Sequence, residues 1–240
     1  MFKKLIYIIF YFFISIGFSD ESKITKEELT EIIKEFIMEN PSVLIQSLEQ
    51  YREKAELEIK NQANKKIKEF YFEKKFNKYP FIGEKESNII VTEFIDYNCG
   101  YCKKTIHTIN KLYKNIKNIK IVFVDLPILS ENSEMAAKAS LASHEQDSYF
   151  QFHSELLNYK GTIDKKVILE IAQKLKLDLK QFKKDMLSEK IDKKLEYNMQ
   201  LAEGLNIRGT PTFIIGNKIL PGAYEYGKLE EIIYQQKERL

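Results

Sequence analysis

Cys99 and Cys102 are the only cysteines in this 240-residue chain, and only Gly100 and Tyr101 separate them. A C-x-x-C pair closes a disulfide with little backbone movement. It suits thiol–disulfide exchange, in which one thiolate attacks a disulfide sulfur and the second thiol resolves the mixed disulfide. A β-branched and aromatic run, Ile89 to Ile95, precedes the pair, and Ile106, Ile109, Leu112, Tyr113 and Ile116 follow it at helical spacing. The pattern predicts a strand, a short loop and a helix, with Cys99 at the helix N-terminus and Cys102 in its first turn. Orphan backbone N–H groups and the positive end of the helix dipole stabilise a thiolate there. Cys99 is therefore expected to be the low-pKa attacking sulfur and Cys102 the more buried resolving thiol. Gly100 permits the tight turn, and Tyr101 is expected to sit over the pair and adjust access.

Other uses of two cysteines fit less well. A structural disulfide between residues three apart closes almost no loop and would stabilise little. Zinc takes four ligands, and His107, His144 and His153 show no ligand spacing. Two close thiolates suit Cu(I), which keeps copper handling as a remote alternative, although no methionine or histidine cluster supports it. The expectation is no metal and no cofactor beyond the redox-active Cys99–Cys102 pair.

The pair must be exported to meet protein disulfides. Residues 1–19 read as a secretory signal: Lys3 and Lys4, an apolar core from Leu5 to Ile16, then Gly17-Phe18-Ser19 before a cleavage point at Asp20. The stretch is short for a membrane span, and an uncleaved anchor is the alternative. Export with two cysteines points to the periplasm. Without Lys3 and Lys4 the chain carries 36 basic (38 − 2) and 35 acidic residues, a net charge of +1. Lysines alternate with glutamates as on solvated helix faces, so no nucleic acid is expected.

Residues 20–80 predict helices. Leu29, Ile32, Ile33, Phe36 and Ile37 form one stripe, Asn40-Pro41 ends it, and a second helix runs from Ser42 to about Lys78, on the order of 50 Å. A thin apolar seam on a charged helix suits homo-oligomerisation, and a solvated connector helix is the bland alternative. The domain boundary is placed near residue 80. In 81–240 the first core strand is expected at Ile89. Lys120 to Asp125 is the next strand, completing a βαβ unit. Residues of about 130–203 read as an all-helical insertion, with Gly204 as its C-terminal cap. Arg208 to Ile215, a Gly216-Asn217 turn, Lys218 to Leu220 and a last helix from Leu229 to Gln236 complete an α/β frame.

Three stretches, Phe94-Ile-Asp-Tyr-Asn-Cys99-Gly-Tyr-Cys102, Leu126-Pro127-Ile-Leu and Arg208-Gly-Thr210-Pro211-Thr-Phe, together resemble the DsbA-like branch of the thioredoxin superfamily. The resemblance covers roughly residues 85–240. It implies a thioredoxin fold with an inserted all-helical subdomain, here preceded by an N-terminal helical stalk. It implies a cis Thr210–Pro211 peptide facing the cysteines, where the Thr210 backbone pairs with an extended substrate chain. It also implies that Glu93 is a buried acid serving Cys102. Strand alternation puts Glu93 on the face of Ile95 and Tyr97, opposite Thr92, Phe94 and Asp96. Asp96 and Tyr97 match the family's loop before the cysteines, in a positioning role, and His153 fits a packing motif of the insertion.

The Gly-Tyr dipeptide departs from the Pro-His of the strongly oxidising DsbA and, with Thr-Pro, looks like DsbC-type isomerases and ScsC. The helical N-terminus is similar to that of ScsC-like and Com-type proteins. The implied activity is a disulfide isomerase or reductase acting on misfolded exported proteins, with a DsbD-like membrane reductant. A dithiol oxidase with a DsbB-like oxidant is the alternative. Gly100, Tyr101, Thr210 and Pro211 are the expected substrate-binding positions.

Overall fold

The computed structural model describes residues 24–73 and 75–237. The expected signal, residues 1–19, lies outside them. Among the described residues no helix is long and apolar enough to cross a membrane. The chain divides into two compact units, one ending at Glu56 and one beginning at Leu57.

The first unit holds α1 (Lys26–Glu39) and the beginning of α2 (Pro41–Phe72). Thr25 caps α1: its hydroxyl accepts from the Glu28 N–H, and the Glu28 carboxylate accepts from the Thr25 N–H at 2.9 Å, a reciprocal capping box. Asn40 ends α1, and Pro41 opens α2 at the position where a missing N–H costs nothing. No residue of α1 is buried, and Leu29, Ile32, Ile33 and Phe36 are all about half exposed.

The second unit is built on a five-stranded sheet in the order β1-β3-β2-β4-β5. Its strands are β1 (Phe81–Gly83), β2 (Ile89–Ile95), β3 (Ile119–Asp125), β4 (Thr212–Ile215) and β5 (Lys218–Pro221). β2 and β3 are parallel and joined by α3 (Gly100–Asn115), while the other pairs are antiparallel. The insertion supplies α4 (Glu131–His144), α5 (Tyr149–Asn158), α6 (Lys165–Lys174), α7 (Leu179–Met186) and α8 (Glu189–Gly204), and α9 (Tyr226–Lys237) ends the unit. The α/β architecture with its helical insertion is the one the sequence implies.

The two faces of the sheet bury different partners. Val91, Ile95, Ile121, Phe123, Phe213 and Ile215 face a core that includes Ile106, Ile109 and Leu112 of α3 and Phe152 and Leu156 of α5. Phe94, Val122, Val124 and Ile214 face Ile67 and Phe70 of α2, together with Phe76, Tyr79, Leu201 and Leu205.

This second cluster moves the boundary expected near residue 80. The last part of α2 and the 3₁₀ turn Lys75–Lys78 cover one sheet face, so residues 57–80 group with the globular unit. The long helix also stops at Phe72, short of Lys78. A chain beginning at Leu57 is therefore expected to keep the melting temperature of the second unit, and one beginning at Phe81 to be unfolded. Phe70→Ala alone should cost about 3–5 kcal/mol for a fully buried ring. Circular-dichroism melts of the two truncations and urea titration of the variant check this.

Three smaller expectations change. A strand precedes Ile89, since Phe81–Gly83 pairs with β3 at the sheet edge. Gly83 there has φ +96°, and a Cβ would lie 2.0 Å from the Ile119 carbonyl oxygen. Gly204 is the last helical residue of α8 rather than its cap. Leu205 caps the helix, and Asn206 takes the left-handed conformation at φ 54°. Tyr113, placed on the buried stripe of α3, is 47% exposed.

Candidate active site

β2 runs into Asp96, and the chain turns so that Cys99 is the N-cap residue of α3. Asp96 is buried and holds this turn. Its Oδ1 accepts from the Asn98 N–H at 2.8 Å, and its Oδ2 accepts from the N–H groups of Ile128 (3.0 Å) and Leu129 (3.1 Å). One carboxylate thus ties the loop before the cysteines to the Leu126-Pro127-Ile128-Leu129 segment. Asp96→Ala leaves three N–H groups without their acceptor and is expected to cost about 2–3 kcal/mol, read as a lower urea midpoint.

The two cysteines are free thiols with unlike surroundings. Cys99 keeps an edge to solvent at 9% exposure, whereas Cys102 is fully buried. Cys99 is held at about 5, below an ordinary thiol, chiefly because the Cys102 thiol donates to its sulfur. The backbone N–H groups of Cys102 and Tyr101, at the start of α3, add to this, and partial burial opposes it. As a thiol, Cys99 instead donates to the Thr210 carbonyl, with Sγ 3.1 Å from that oxygen. The Thr210 side chain adds to the lowering. Burial pushes the Cys102 thiol far above its usual range, and donation to Cys99 and the nearby Glu93 carboxylate reinforce the shift. The arrangement is one accessible nucleophile and one buried, proton-retaining partner.

The Thr210–Pro211 peptide is cis. The Thr210 carbonyl faces the Cys99 sulfur, and Gly222 N–H donates to the Pro211 carbonyl at 2.8 Å, which anchors the turn to β5. Gly100 has open space where a Cβ would be, and Tyr101 is 64% exposed with the Lys104 Nζ 5.2 Å from its ring centroid. Tyr101 thus stands out from the surface beside Cys99.

Glu93 is fully buried in β2, opposite Phe123 of β3 and Phe213 of β4. Burial pushes its carboxyl up to about 8, although the Thr105 hydroxyl, donating to Oε1 at 2.7 Å, works against the rise. Among the described residues Oε2 has no hydrogen-bond partner. A carboxyl that is neutral at pH 7 beneath a buried thiol can give or take the proton that the thiol must exchange.

Residues 90–234 match the DSBA-like thioredoxin domain. The chain belongs to this family. Among solved structures, the DSBA-like domain is similar to the thiol–disulfide exchange protein α-DsbA2 of Wolbachia pipientis, at 30% identity and a TM-score of 0.68 over 74% of this chain and 97% of that one. It is also similar to a thioredoxin-like oxidoreductase of Silicibacter pomeroyi, at 32% identity and a TM-score of 0.66 over 68% and 95%. Among curated relatives, disulfide bond formation protein D of Bacillus subtilis is 25% identical over 65% of this chain and 76% of its own length. The Na(+)/H(+) antiporter NhaA 3 of Salinispora tropica is 25% identical, but the matching region spans only 24% of that protein.

The DSBA-like domain holds a second buried polar group that sequence reasoning did not find. The Tyr97 and Tyr149 hydroxyls both donate to Asp125 Oδ1, at 2.9 and 3.0 Å, and the Tyr97 oxygen lies 3.2 Å from His153 Nδ1. Asn198 of α8 donates to the Asp125 carbonyl at 2.8 Å. Burial pushes Asp125 up to about 6 and His153 down to about 3, so the imidazole is neutral at pH 7. The group pins Tyr97, two residues before Cys99, to α5 of the insertion. A histidine and a tyrosine inside the apolar pattern Tyr149-Phe-Gln-Phe-His153 were the available signal. Thr105, a hydroxyl residue on the buried face of α3, was the signal for the Glu93 contact. His107 and His144 have no part in the cysteine site.

Proposed function

We propose that the chain is an exported thiol–disulfide oxidoreductase that acts on protein disulfides through Cys99 and Cys102. The observation that carries this is the asymmetry of the pair. Cys99 is a ready thiolate at a helix N-terminus with an edge to solvent, Cys102 is a buried thiol behind it, and the cis Thr210–Pro211 turn stands against the attacking sulfur. A substrate chain lying along the turn would pair with the Thr210 backbone and present its sulfur to Cys99. Tyr101 and Gly100 border that approach.

In the isomerase reading, the Cys99 thiolate attacks a non-native disulfide, and a substrate thiol or Cys102 displaces it. The pair must then be kept reduced, as a DsbD-like membrane reductant would do. The uncovered apolar stripe of α1 supports association of several copies through the helical N-terminus, gathering several sites around one client. In the oxidase reading the same cysteines donate their disulfide and a DsbB-like oxidant restores it.

The test is reactivation of scrambled ribonuclease by the reduced protein, comparing residues 20–240 with a chain beginning at Leu57, which retains the residues that cover the sheet. Reactivation by the longer chain alone supports an isomerase that works as an oligomer. No reactivation by either, with rapid oxidation of a dithiol peptide by the disulfide form of both, establishes the oxidase. If neither form exchanges with any disulfide, the proposal fails.

A further inference from the structure

Thr105 is in contact with both ends of the buried half of the site. Its Oγ1 is 2.7 Å from Glu93 Oε1 and 2.8 Å from the Cys102 carbonyl oxygen. A hydroxyl has one hydrogen, so it cannot donate to both at once. With Glu93 protonated, the carboxyl donates to Thr105 Oγ1 and the Thr105 hydrogen points to the Cys102 carbonyl. With Glu93 ionised, the hydrogen must turn to Oε1. The position of the Thr105 hydrogen therefore follows the charge of Glu93.

Thr105 also borders a groove. It is buried overall, and the groove, of about 450 Å³, lies between α3 and the loop before α9. Glu93 does not line this groove, and its strand neighbours Phe123 and Phe213 are apolar. The ionisable groups around this path are Cys102 on α3 and, in the groove wall, Tyr101, Lys104, His107, Lys111, Tyr224, Glu225 and Tyr226.

We infer that Thr105 is the relay through which the buried Glu93 exchanges its proton with water in this groove during the Cys102 step. The inference rests on the exchange reading above. When Cys102 resolves a mixed disulfide, its sulfur bonds to Cys99 Sγ, the Cys99–substrate S–S bond breaks, and the substrate leaves as a thiolate. The two cysteines are oxidised and the substrate sulfur is reduced. This step draws on the ionised form of Glu93, which grows as pH rises toward about 8: its carboxylate takes the Cys102 proton. From there it moves to Thr105 Oγ1 while the hydroxyl's own hydrogen turns from the Cys102 carbonyl to a groove water and leaves with it. In the reverse step, Glu93 protonates the departing Cys102 thiolate and is recharged along the same path. Thr105 touches no reacting sulfur; it acts through Glu93 and is a positioning residue.

A peptide disulfide carrying a different fluorophore on each half separates the two steps. Attack by Cys99 releases the first half, and attack by Cys102 releases the second. For Thr105→Val, nearly isosteric but without the hydroxyl, the second release is expected to slow about tenfold, less than the roughly 10²–10⁴-fold of a direct acid or base because Thr105 acts through Glu93. Its pH midpoint should rise above the wild-type value, because the hydroxyl holds the Glu93 carboxyl down. The first release should keep its rate, and Thr105→Ser should restore the second. Should the valine variant not fold, Thr105→Ala is read in the same way. Unchanged second-release rate and midpoint overturn the relay, as does equal slowing of both releases. A wild type that releases neither half overturns the exchange reading itself, and the relay with it.

Discussion

Cys102→Ser is expected to stall the protein as a mixed disulfide with its substrate, and Cys99→Ser to form none. The reason is the division of labour between the sulfurs. Cys99 is a thiolate above about pH 5 and keeps access to solvent; Cys102 is fully buried and remains a thiol. Without Cys102, the mixed disulfide awaits an external thiol. Losing an intramolecular nucleophile of high effective concentration should lengthen its life on the order of 10³-fold or more at millimolar thiol. Non-reducing electrophoresis of trapped species checks it, and an equal yield from Cys99→Ser would sink the assignment. The sign of the pH dependence follows from the lowered thiol. Alkylation of Cys99 should be level from pH 8 to pH 6 and fall as pH drops through about 5. Cys102→Ala removes the largest cause of that lowering, so the midpoint should move up toward the ordinary thiol range. A midpoint unmoved in Cys102→Ala would assign the stabilisation to the helix N–H groups instead.

What could be read from the sequence follows how local each contact is. The cysteines, the strand before them and the helix after them lie within one βαβ stretch, so spacing alone predicts their placement. The cis turn at Thr210–Pro211 was implied by resemblance rather than by spacing, and it is cis. Strand alternation separated Glu93 from Phe94, and the two residues do lie on opposite faces of the sheet.

The rest depends on partners distant in sequence. Tyr97 meets Asp125, Tyr149 and His153 at separations of 28, 52 and 56 residues, and no local pattern announces those meetings. The end of the N-terminal region was hidden for a different reason. Ile59, exposed, and Ile67, buried, belong to one helix and continue the same periodicity. A period states which face is apolar, and it does not state where along the helix another element begins to cover that face. β1 is only three residues long and follows Pro80, so it reads as a break in the pattern.

Glu93→Gln should change stability with a pH dependence that only a buried, raised carboxyl produces. The group titrates at about 8 in the folded chain and near 4.5 when unfolded. Between those values the folded state holds a proton that the unfolded state has released. Stability is therefore fully present below about pH 4.5 and is lost as pH rises toward 8. At about 1.4 kcal/mol per pH unit, the loss approaches 5 kcal/mol. Glutamine resembles the protonated carboxyl and has no such titration, so its stability should stay level over the same range. Urea titrations at pH 5, 7 and 9 should find the two proteins nearly equal at pH 5 and the glutamine variant several kcal/mol more stable at pH 9. Parallel curves would mean that the carboxyl is not held up. On the relay proposed above, the same substitution should slow the release that depends on Cys102 and spare the attack by Cys99.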